Sequence, residues 1–94
     1  MERFSRTRLL LGTNNLKKLQ SGRVAVIGLG AVGSYCVEGL ARAGVGHLRL
    51  VDFDVIRLSN INRHLWAMET TLGRTKVAVG QERILDINPA ADVE

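Results

Sequence analysis

Three closely spaced glycines stand where a backbone could approach a phosphate group. The stretch GLGAVG places Gly28, Gly30 and Gly33 in a G-x-G-x-x-G pattern directly after a short apolar run rich in β-branched residues. In this pattern the first glycine permits a tight turn, the second lets the backbone approach a phosphate, and the third lets a helix pack closely on a strand. N–H groups at the start of the following helix then point at the anion. The pattern predicts a nucleotide site, although glycines that serve only helix-to-sheet packing would have the same spacing.

Two carboxylates follow the next apolar run, in the stretch VDFDV. Asp52 lies 24 residues after Gly28, which is close to the spacing of the acid that holds ribose hydroxyls in nucleotide-binding folds. The alternative for Asp52 is a carboxylate that only caps its loop. Asp54 has two equally weighted interpretations, which are orientation of a basic neighbour and capping of the same loop.

Amides and cations come next along the chain, as Asn60, Asn62, Arg63 and then Lys76. We expect all four to reach the same edge of the sheet as the glycines. A nicotinamide dinucleotide has two phosphates, which the glycine loop and the helix start already satisfy, so it needs no further cations. Arginine offers a planar fork for phosphate oxygens, and lysine offers a mobile point charge. The cluster therefore favours a triphosphate that loses pyrophosphate, which is the chemistry of adenylation.

The elements that must position these residues follow from hydrophobic periodicity and turn signals. Residues 1–22 are predicted to form short helices, with Asn14 or Asn15 capping the second helix. The sequence then predicts strands and helices in alternation, namely a strand at 23–28 buried on both faces, a helix at 32–43, a strand at 47–53 and a helix at 75–88. This order is typical of an α/β protein with a parallel sheet, the Rossmann-like nucleotide-binding fold.

The number of strands bears on the domain organisation. Two parallel strands have neither the width nor the cover to stand alone as a sheet. We therefore expect residues 1–22 to form an N-terminal helical segment and residues 23–94 to form the first half of an ATP-binding domain. The chain is expected to end just before a third strand.

Composition limits the remaining possibilities. The formal net charge is +4, and six Arg or Lys against one Glu lie before residue 24, a surface that could meet phosphates. One cysteine, Cys36, permits neither a disulfide within the chain nor a Cys-based metal site, and it suits a cytoplasmic protein.

The helix at 32–43 is expected to bury an apolar stripe of Val32, Cys36, Val37, Leu40 and Ala41. No apolar run approaches the roughly 20 residues that span a bilayer, so no membrane partner is expected.

A family resemblance rests on four motifs, the glycine loop, D-x-D at 52–54, S-N-x-N-R at 59–63 and G-x-x-K at 73–76. Together they resemble the N-terminal half of the ThiF/MoeB/HesA family, the ubiquitin-activating type of adenylating enzyme, over nearly the whole chain. The resemblance implies ATP-dependent formation of an acyl adenylate with release of pyrophosphate. It also implies a homodimer and a Mg²⁺ ion held by a residue outside this chain, so that these 94 residues alone would be inactive.

The resemblance implies a role for each matching residue. Gly30, Ala31 and Gly33 would line the phosphates, and Asp52 would hold the ribose. The residues expected to contact the nucleotide beyond the glycine loop are Ser59, Asn60, Asn62 and Arg63, with Lys76 on the phosphates and Arg6, from the stretch RFSR, reaching into the site of a second subunit. Arg63, Lys76 and Arg6 would be the catalytic groups. His64 is a departure, since many relatives have Gln there, and an imidazole can still donate a hydrogen bond although its charge can change near neutral pH.

The substrate remains open between two branches of the family. The stretches ERFSRTRLLLG and NINRHLWAMETTLGRTKV look most like the branch that dehydrates threonylcarbamoyladenosine in transfer RNA. The rival branch activates the C-terminal carboxylate of a ubiquitin-like sulfur-carrier protein. Outside the family, an NAD-dependent oxidoreductase and a non-catalytic nucleotide-binding module remain as alternatives.

Overall fold

A parallel sheet of three strands organises the chain. In the computed structural model, which describes residues 3–94, the strands are β1 (Arg23–Ile27), β2 (His47–Val51) and β3 (Asp92–Val93), in the order β1-β2-β3. His47 pairs with Arg23 on one side and with Asp92 on the other. The predicted α/β fold with a parallel sheet is confirmed.

The start of the third strand lies within the chain, whereas the sequence placed it beyond residue 94. Asp92 N–H donates to the Gly46 carbonyl at 2.9 Å, and Glu94 N–H donates to the Leu48 carbonyl at 2.9 Å. The segment ADVE is too short and too polar to show the periodicity of a strand. The segment is therefore recognised as a strand from its pairing with β2 and not from its composition.

Two helices, α3 (Ala31–Ala43) and α4 (Lys76–Ile87), pack on the sheet. Leu48 and Leu50 of β2 are buried, and Ile27 of β1 is 81% exposed. The sequence predicted β1 to be buried on both faces, because parallel sheets usually have helices on both sides. Within residues 3–94 that prediction is wrong, since Arg23, Ala25 and Ile27 of β1 are exposed.

The buried stripe of α3 is rotated from the predicted one. The structure buries Ser34, Val37, Glu38 and Ala41, whereas Val32 and Cys36 are exposed. The cause lies at Gly33, because a Cβ there would overlap the Gly28 carbonyl oxygen. This close approach turns Gly33 toward the loop, so that the residues four and eight positions later, Val37 and Ala41, face the core.

Before β1 the chain forms α1 (Ser5–Leu11) and α2 (Thr13–Gln20). The predicted caps are wrong, since both asparagines lie inside α2 and Gly12 precedes it with φ of 86°. Asn15 Nδ2 donates to the Leu11 carbonyl at 2.9 Å. Only a residue that tolerates positive φ lets α1 turn into α2 within one position, and glycine does so without a steric penalty.

Within residues 3–94 no helix combines the length and the apolar character that a bilayer crossing requires.

Residues 52–75 form the long connection between β2 and α4, with 3₁₀ turns at Leu58–Asn60 and Glu69–Thr71. Trp66 anchors this connection and is fully buried in the core. A Cβ at Gly80 of α4 would lie only 2.8 Å from the Trp66 ring and 2.9 Å from Leu50 Cδ1. Glycine at this position thus lets α4 pack directly on the tryptophan.

A buried carboxylate, Glu38, joins both helices to the connection. Its Oε1 accepts hydrogen bonds from Arg83 Nε at 2.6 Å and from Trp66 Nε1 at 3.2 Å, and its Oε2 accepts one from Arg42 Nε at 3.2 Å. Burial raises the pKa of Glu38, but the hydrogen bonds and the charge of Arg83, with the bonds from Arg42 and Trp66, outweigh burial and lower the pKa from its ordinary 4.5. Glu38 is therefore stabilised as a carboxylate in the folded state.

We expect Glu38→Gln in the intact protein to lower the free energy of unfolding by about 2 kcal/mol at pH 7, since hydrogen bonds to charged groups contribute roughly 1.5–3 kcal/mol. A carboxylate whose folded pKa is lowered stabilises the fold above its unfolded pKa and ceases to do so as the pH falls through the folded pKa. The difference between wild type and variant should therefore shrink below pH 4.5. Denaturant unfolding from pH 7 to pH 3 measures it. Glu69→Gln, at an exposed position, is the control, and a difference independent of pH would contradict the assignment.

Candidate functional site

The three glycines of the G-x-G-x-x-G pattern have three different structural environments, two in the loop between β1 and α3 and one in the first turn of α3. Gly28 has φ of 88°, a conformation that favours glycine, and its N–H donates to the Val51 carbonyl at 2.8 Å. Gly33 packs against the Gly28 carbonyl. Gly30 has φ of −76°, and a Cβ there would meet no atom within 4 Å. The fold itself therefore does not require glycine at position 30, and the open space in front of it is where a ligand could approach the backbone.

The start of α3 presents free backbone donors beside that space. The first helical hydrogen bond at this end runs from Ser34 N–H to the Gly30 carbonyl at 2.9 Å. The N–H groups of Ala31, Val32 and Gly33 precede it, as the first donors of any α-helix precede the helical ladder. Together with the helix dipole they favour an anion at this position.

Asp52 fixes the glycine loop from the end of β2. Its Oδ2 accepts the Leu29 N–H at 2.8 Å, and its Oδ1 accepts the Asp54 N–H at 2.7 Å. The alternative of a loop-capping carboxylate is therefore observed. Each oxygen of a carboxylate can accept two hydrogen bonds, so this capping leaves acceptor capacity for ribose hydroxyls, which stays a prediction.

Backbone pairing brings the start of α4 to the end of β2. Val55 and Thr75 form an antiparallel bridge, and Lys76 N–H donates to the Asp54 carbonyl at 3.1 Å. Thr75 Oγ1 caps α4 by accepting the Ala78 N–H at 3.3 Å. Lys76 is thus brought to the same sheet edge as Asp52 and Asp54, as the sequence predicted.

Lys76 is a cation that lies nearly buried in the first turn of a helix. The residue is only 7% exposed, and its Nζ lies 3.9 Å from Asp54 Oδ2. A cation in the first turn of a helix opposes the helix dipole, and a distance of 3.9 Å is too long for a hydrogen bond. The position therefore suits a lysine whose stronger anionic partner is a ligand.

Asp54 serves both of the roles weighed for it. Its Oδ1 accepts the Val55 N–H at 2.9 Å and Arg57 Nη2 at 2.9 Å. The hydrogen bond from Arg57, then the one from the Val55 backbone, lower the pKa of Asp54. Arg57 was not among the predicted site residues, although its three-residue spacing from Asp54 could have indicated the pair.

Ser59, Asn60, Asn62 and Arg63 lie together in the connection, but their contacts are local. Arg63 Nη1 donates to the Ser59 carbonyl at 2.8 Å and to Asn62 Oδ1 at 2.9 Å. Asn60 Oδ1 accepts the Arg57 N–H at 2.8 Å. None of these hydrogen bonds reaches the glycine loop, so contact of these four residues with a nucleotide stays a prediction.

Arg6 lies away from the glycine loop of its own chain. Phe4, two residues earlier, is buried and packs near Gly44, just after the C-terminal end of α3. The glycine loop precedes the other end of that helix, whose 13 residues correspond to about 20 Å at 1.5 Å per residue. The structure therefore does not bring Arg6 to the other candidate residues.

A cleft of about 450 Å³ opens beside Asp52. Leu50, Val77 and Val93 are among the apolar residues that line it, and its position at the carboxyl ends of parallel strands is where α/β folds bind ligands. Among residues 3–94 no group of three or more His, Cys, Asp or Glu side chains could hold a metal ion. The described residues thus provide space for an organic group and donors for an anion.

Comparisons with known proteins match nearly the whole of this chain. The model of the ThiF family matches residues 4–94. The tRNA threonylcarbamoyladenosine dehydratase of Bacillus subtilis (strain 168) is 45% identical over 93 residues, which are 99% of this chain and 37% of that protein. The molybdopterin-synthase adenylyltransferase of Escherichia coli (strain K12) is 37% identical over 91 residues, 95% of this chain and 36% of that protein.

A solved structure agrees with these relatives. The crystal structure of the E. coli tRNA N6-threonylcarbamoyladenosine dehydratase TcdA in complex with ATP matches with a TM-score of 0.96 and 38% identity, over 98% of this chain and 38% of that chain. This chain therefore spans little more than a third of the length of the relatives it matches.

Gly30 and Gly33 should respond differently to substitution by alanine. We expect Gly33→Ala to destabilise the intact protein by about 2–3 kcal/mol, because its Cβ must displace the Gly28 carbonyl. Gly30→Ala should cost at most about 1 kcal/mol, since space is open there and only a glycine N-cap is lost. Denaturant midpoints compare them. Equal losses would show that the loop is not packed as described.

Proposed function

The chain belongs to the ThiF family, and we propose on that premise that the protein containing it adenylates a carboxylate of its substrate with ATP. One arrangement carries the proposal. Space is open beside Gly30, which directly precedes α3, and the buried Lys76 begins α4 at the same sheet edge. Two helix starts and a lysine at one sheet edge favour a polyanion. The matching ATP complex of TcdA supports ATP as that polyanion.

The glycine loop and α3 are the proposed phosphate cradle. The Gly30 N–H and the free N–H groups of Ala31 and Gly33 would donate to phosphate oxygens. Asp52 would accept hydrogen bonds from the ribose hydroxyls with its remaining lone pairs. The apolar cleft beside Asp52 would take the base.

Lys76 is the proposed charge stabiliser. Bound ATP supplies an α-phosphorus for attack and pyrophosphate as the leaving group. As a substrate carboxylate attacks, the bond from the α-phosphorus to the oxygen that bridges to the β-phosphorus breaks, and negative charge develops on the pyrophosphate. Once ATP binding has drawn Lys76 Nζ from Asp54 to the phosphates, the cation would be held beside that oxygen before the attack and would stabilise the transition state. No general base is required, since a carboxylate is already ionised at neutral pH.

Arg63 and its neighbours Ser59, Asn60 and Asn62 complete the proposed site from the connection. Among residues 3–94, the Arg63 guanidinium donates to two exposed acceptors of its own connection. Hydrogen bonds to such exposed groups are readily exchanged. A nucleotide phosphate, as a charged bidentate acceptor, would replace them.

We infer that the carboxylate belongs to threonylcarbamoyladenosine in transfer RNA. The higher identity of this chain to a tRNA threonylcarbamoyladenosine dehydratase, 45% against 37% for a molybdopterin-synthase adenylyltransferase, supports this substrate. The acyl adenylate would cyclise and expel AMP. Activation of a ubiquitin-like sulfur-carrier protein is the second candidate, and the similarity to the adenylyltransferase favours it.

We further propose that the protein is a cytoplasmic homodimer. Arg6 lies beyond the far end of α3 from its own glycine loop, which supports a role in the site of the second copy. A Mg²⁺ ion would be held by a residue outside these 94 residues. A monomer with full activity per chain would contradict the role of Arg6.

The experiment is ATP–pyrophosphate exchange by the intact protein, with transfer RNA that carries threonylcarbamoyladenosine as the carboxylate substrate. Lys76→Met should lower exchange by about 10²-fold or more, the scale of one lost preorganised donor. Methionine keeps the buried apolar stem and removes the charge. Arg63→Ala should cause a loss of the same order.

Glu69→Gln, at an exposed position outside the basic N-terminal segment and the proposed site, is the control and should leave exchange unchanged. Exchange within a few-fold of wild type for both site variants would remove these residues from the mechanism. Exchange that requires a ubiquitin-like protein, and not transfer RNA, would establish the second candidate. Absence of ATP-dependent exchange in the wild type with either substrate would refute adenylation.

A further inference from the structure

A buried histidine joins the connection to the glycine loop. His64 is only 5% exposed. Its Nε2 lies 2.6 Å from the Leu29 carbonyl oxygen, and its Nδ1 lies 3.1 Å from the Trp66 backbone nitrogen. Both contacts are to the backbone, so the histidine holds two segments 35 residues apart in sequence at fixed positions.

These two partners define the tautomer of His64. A backbone N–H can only donate, so Nδ1 must accept from Trp66. A carbonyl oxygen can only accept, so Nε2 must carry the proton that bonds to Leu29. The neutral Nε2–H tautomer satisfies both partners, and a proton on Nδ1 would face the Trp66 N–H.

The peptide groups on both sides of Leu29 are therefore held from opposite directions. Asp52 accepts the Leu29 N–H at 2.8 Å, and His64 donates to the Leu29 carbonyl. In a trans peptide the C=O and the following N–H point in opposite directions, and residues 3–94 contain no cis peptide. A Leu29 carbonyl directed inward at His64 thus turns the Gly30 N–H outward.

Space is also open beside the Gly30 Cα. No atom lies within 4 Å of a Cβ built on that residue, and the free donors of the first turn of α3 are its neighbours. If the Leu29–Gly30 peptide rotated, the carbonyl oxygen would replace the N–H at this surface. An oxygen there would repel a phosphate that the N–H would attract.

We propose that His64 is a positioning residue for the phosphate site, which keeps the Gly30 N–H directed at the nucleotide by holding the Leu29 carbonyl. This inference rests on the proposed function, since it concerns the same phosphate site. His64 acts through the loop and touches neither the nucleotide nor the substrate. Its bond to Trp66 anchors the imidazole in the required orientation.

Two amide variants separate the two hydrogen bonds. Glutamine places its amide nitrogen near the position of Nε2, so His64→Gln can still donate to Leu29. Asparagine is one carbon shorter and places its oxygen near the position of Nδ1, so His64→Asn keeps the Trp66 bond and loses the Leu29 bond. Both variants leave a polar amide at the same buried position, which makes them matched controls for each other.

We expect His64→Asn in the intact protein to raise the Kd for ATP about tenfold or more, the effect of one misdirected donor to a charged group. His64→Gln should keep the Kd within about threefold of wild type. The inhibition constant of adenosine, which has no phosphate, should change less than about threefold in either variant. Isothermal titration and competition measure these constants, and thermal unfolding shows that each variant is folded. ¹⁵N NMR of the His64 ring in the wild type should show the Nε2–H tautomer.

Several results would overturn the proposal. A folded His64→Asn variant whose Kd for ATP is unchanged would do so, as would one that binds ATP and adenosine more weakly by the same factor. So would a folded His64→Gln variant whose Kd for ATP rises tenfold. The last such result is an Nδ1–H tautomer in the wild type. The last test holds even if a variant fails to fold. Failure of the proposed function has a different signature, since the wild type itself would then show no ATP-dependent exchange.

Discussion

The hydrogen bond from Leu29 N–H to Asp52 Oδ2 is the contact on which the site depends. It joins the end of β2 to the glycine loop, and a charge-assisted bond of this kind contributes roughly 1.5–3 kcal/mol. Because the bond fixes the Gly28–Leu29 peptide, the Gly28 carbonyl lies against Gly33, and that contact sets the rotation of α3. One carboxylate thereby determines both the shape of the loop and the helix face that meets the core.

Lys76 is placed beside Asp54 by backbone pairing between the two ends of the connection. The antiparallel contact of Val55 with Thr75 draws the start of α4 to Asp54, which places Lys76 at the sheet edge with little exposure. Trp66 and Glu38 secure the middle of the connection against both helices. The acids and cations noted in the sequence are therefore close because the backbone folds back, and a triphosphate would satisfy the cations that Asp54 only partly neutralises.

Local spacing was enough to predict the glycine loop, the acid after β2 and the lysine that begins α4, because each depends on neighbours in sequence. The rotation of α3 was not predictable from apolar residues alone. It is set by the overlap that any side chain at Gly33 would cause, so Val32 and Cys36 are exposed despite their type. The role of His64 depends on a contact across 35 residues, which no periodicity encodes.

The most direct measurement is a crystal structure of the intact protein with a non-hydrolysable ATP analogue. The account predicts a phosphate oxygen within hydrogen-bond distance of Gly30 N–H, ribose hydroxyls on Asp52, and Lys76 Nζ shifted from Asp54 to the phosphates. A nucleotide bound with the Leu29 carbonyl facing its phosphates, or with Lys76 still directed at Asp54, would contradict it.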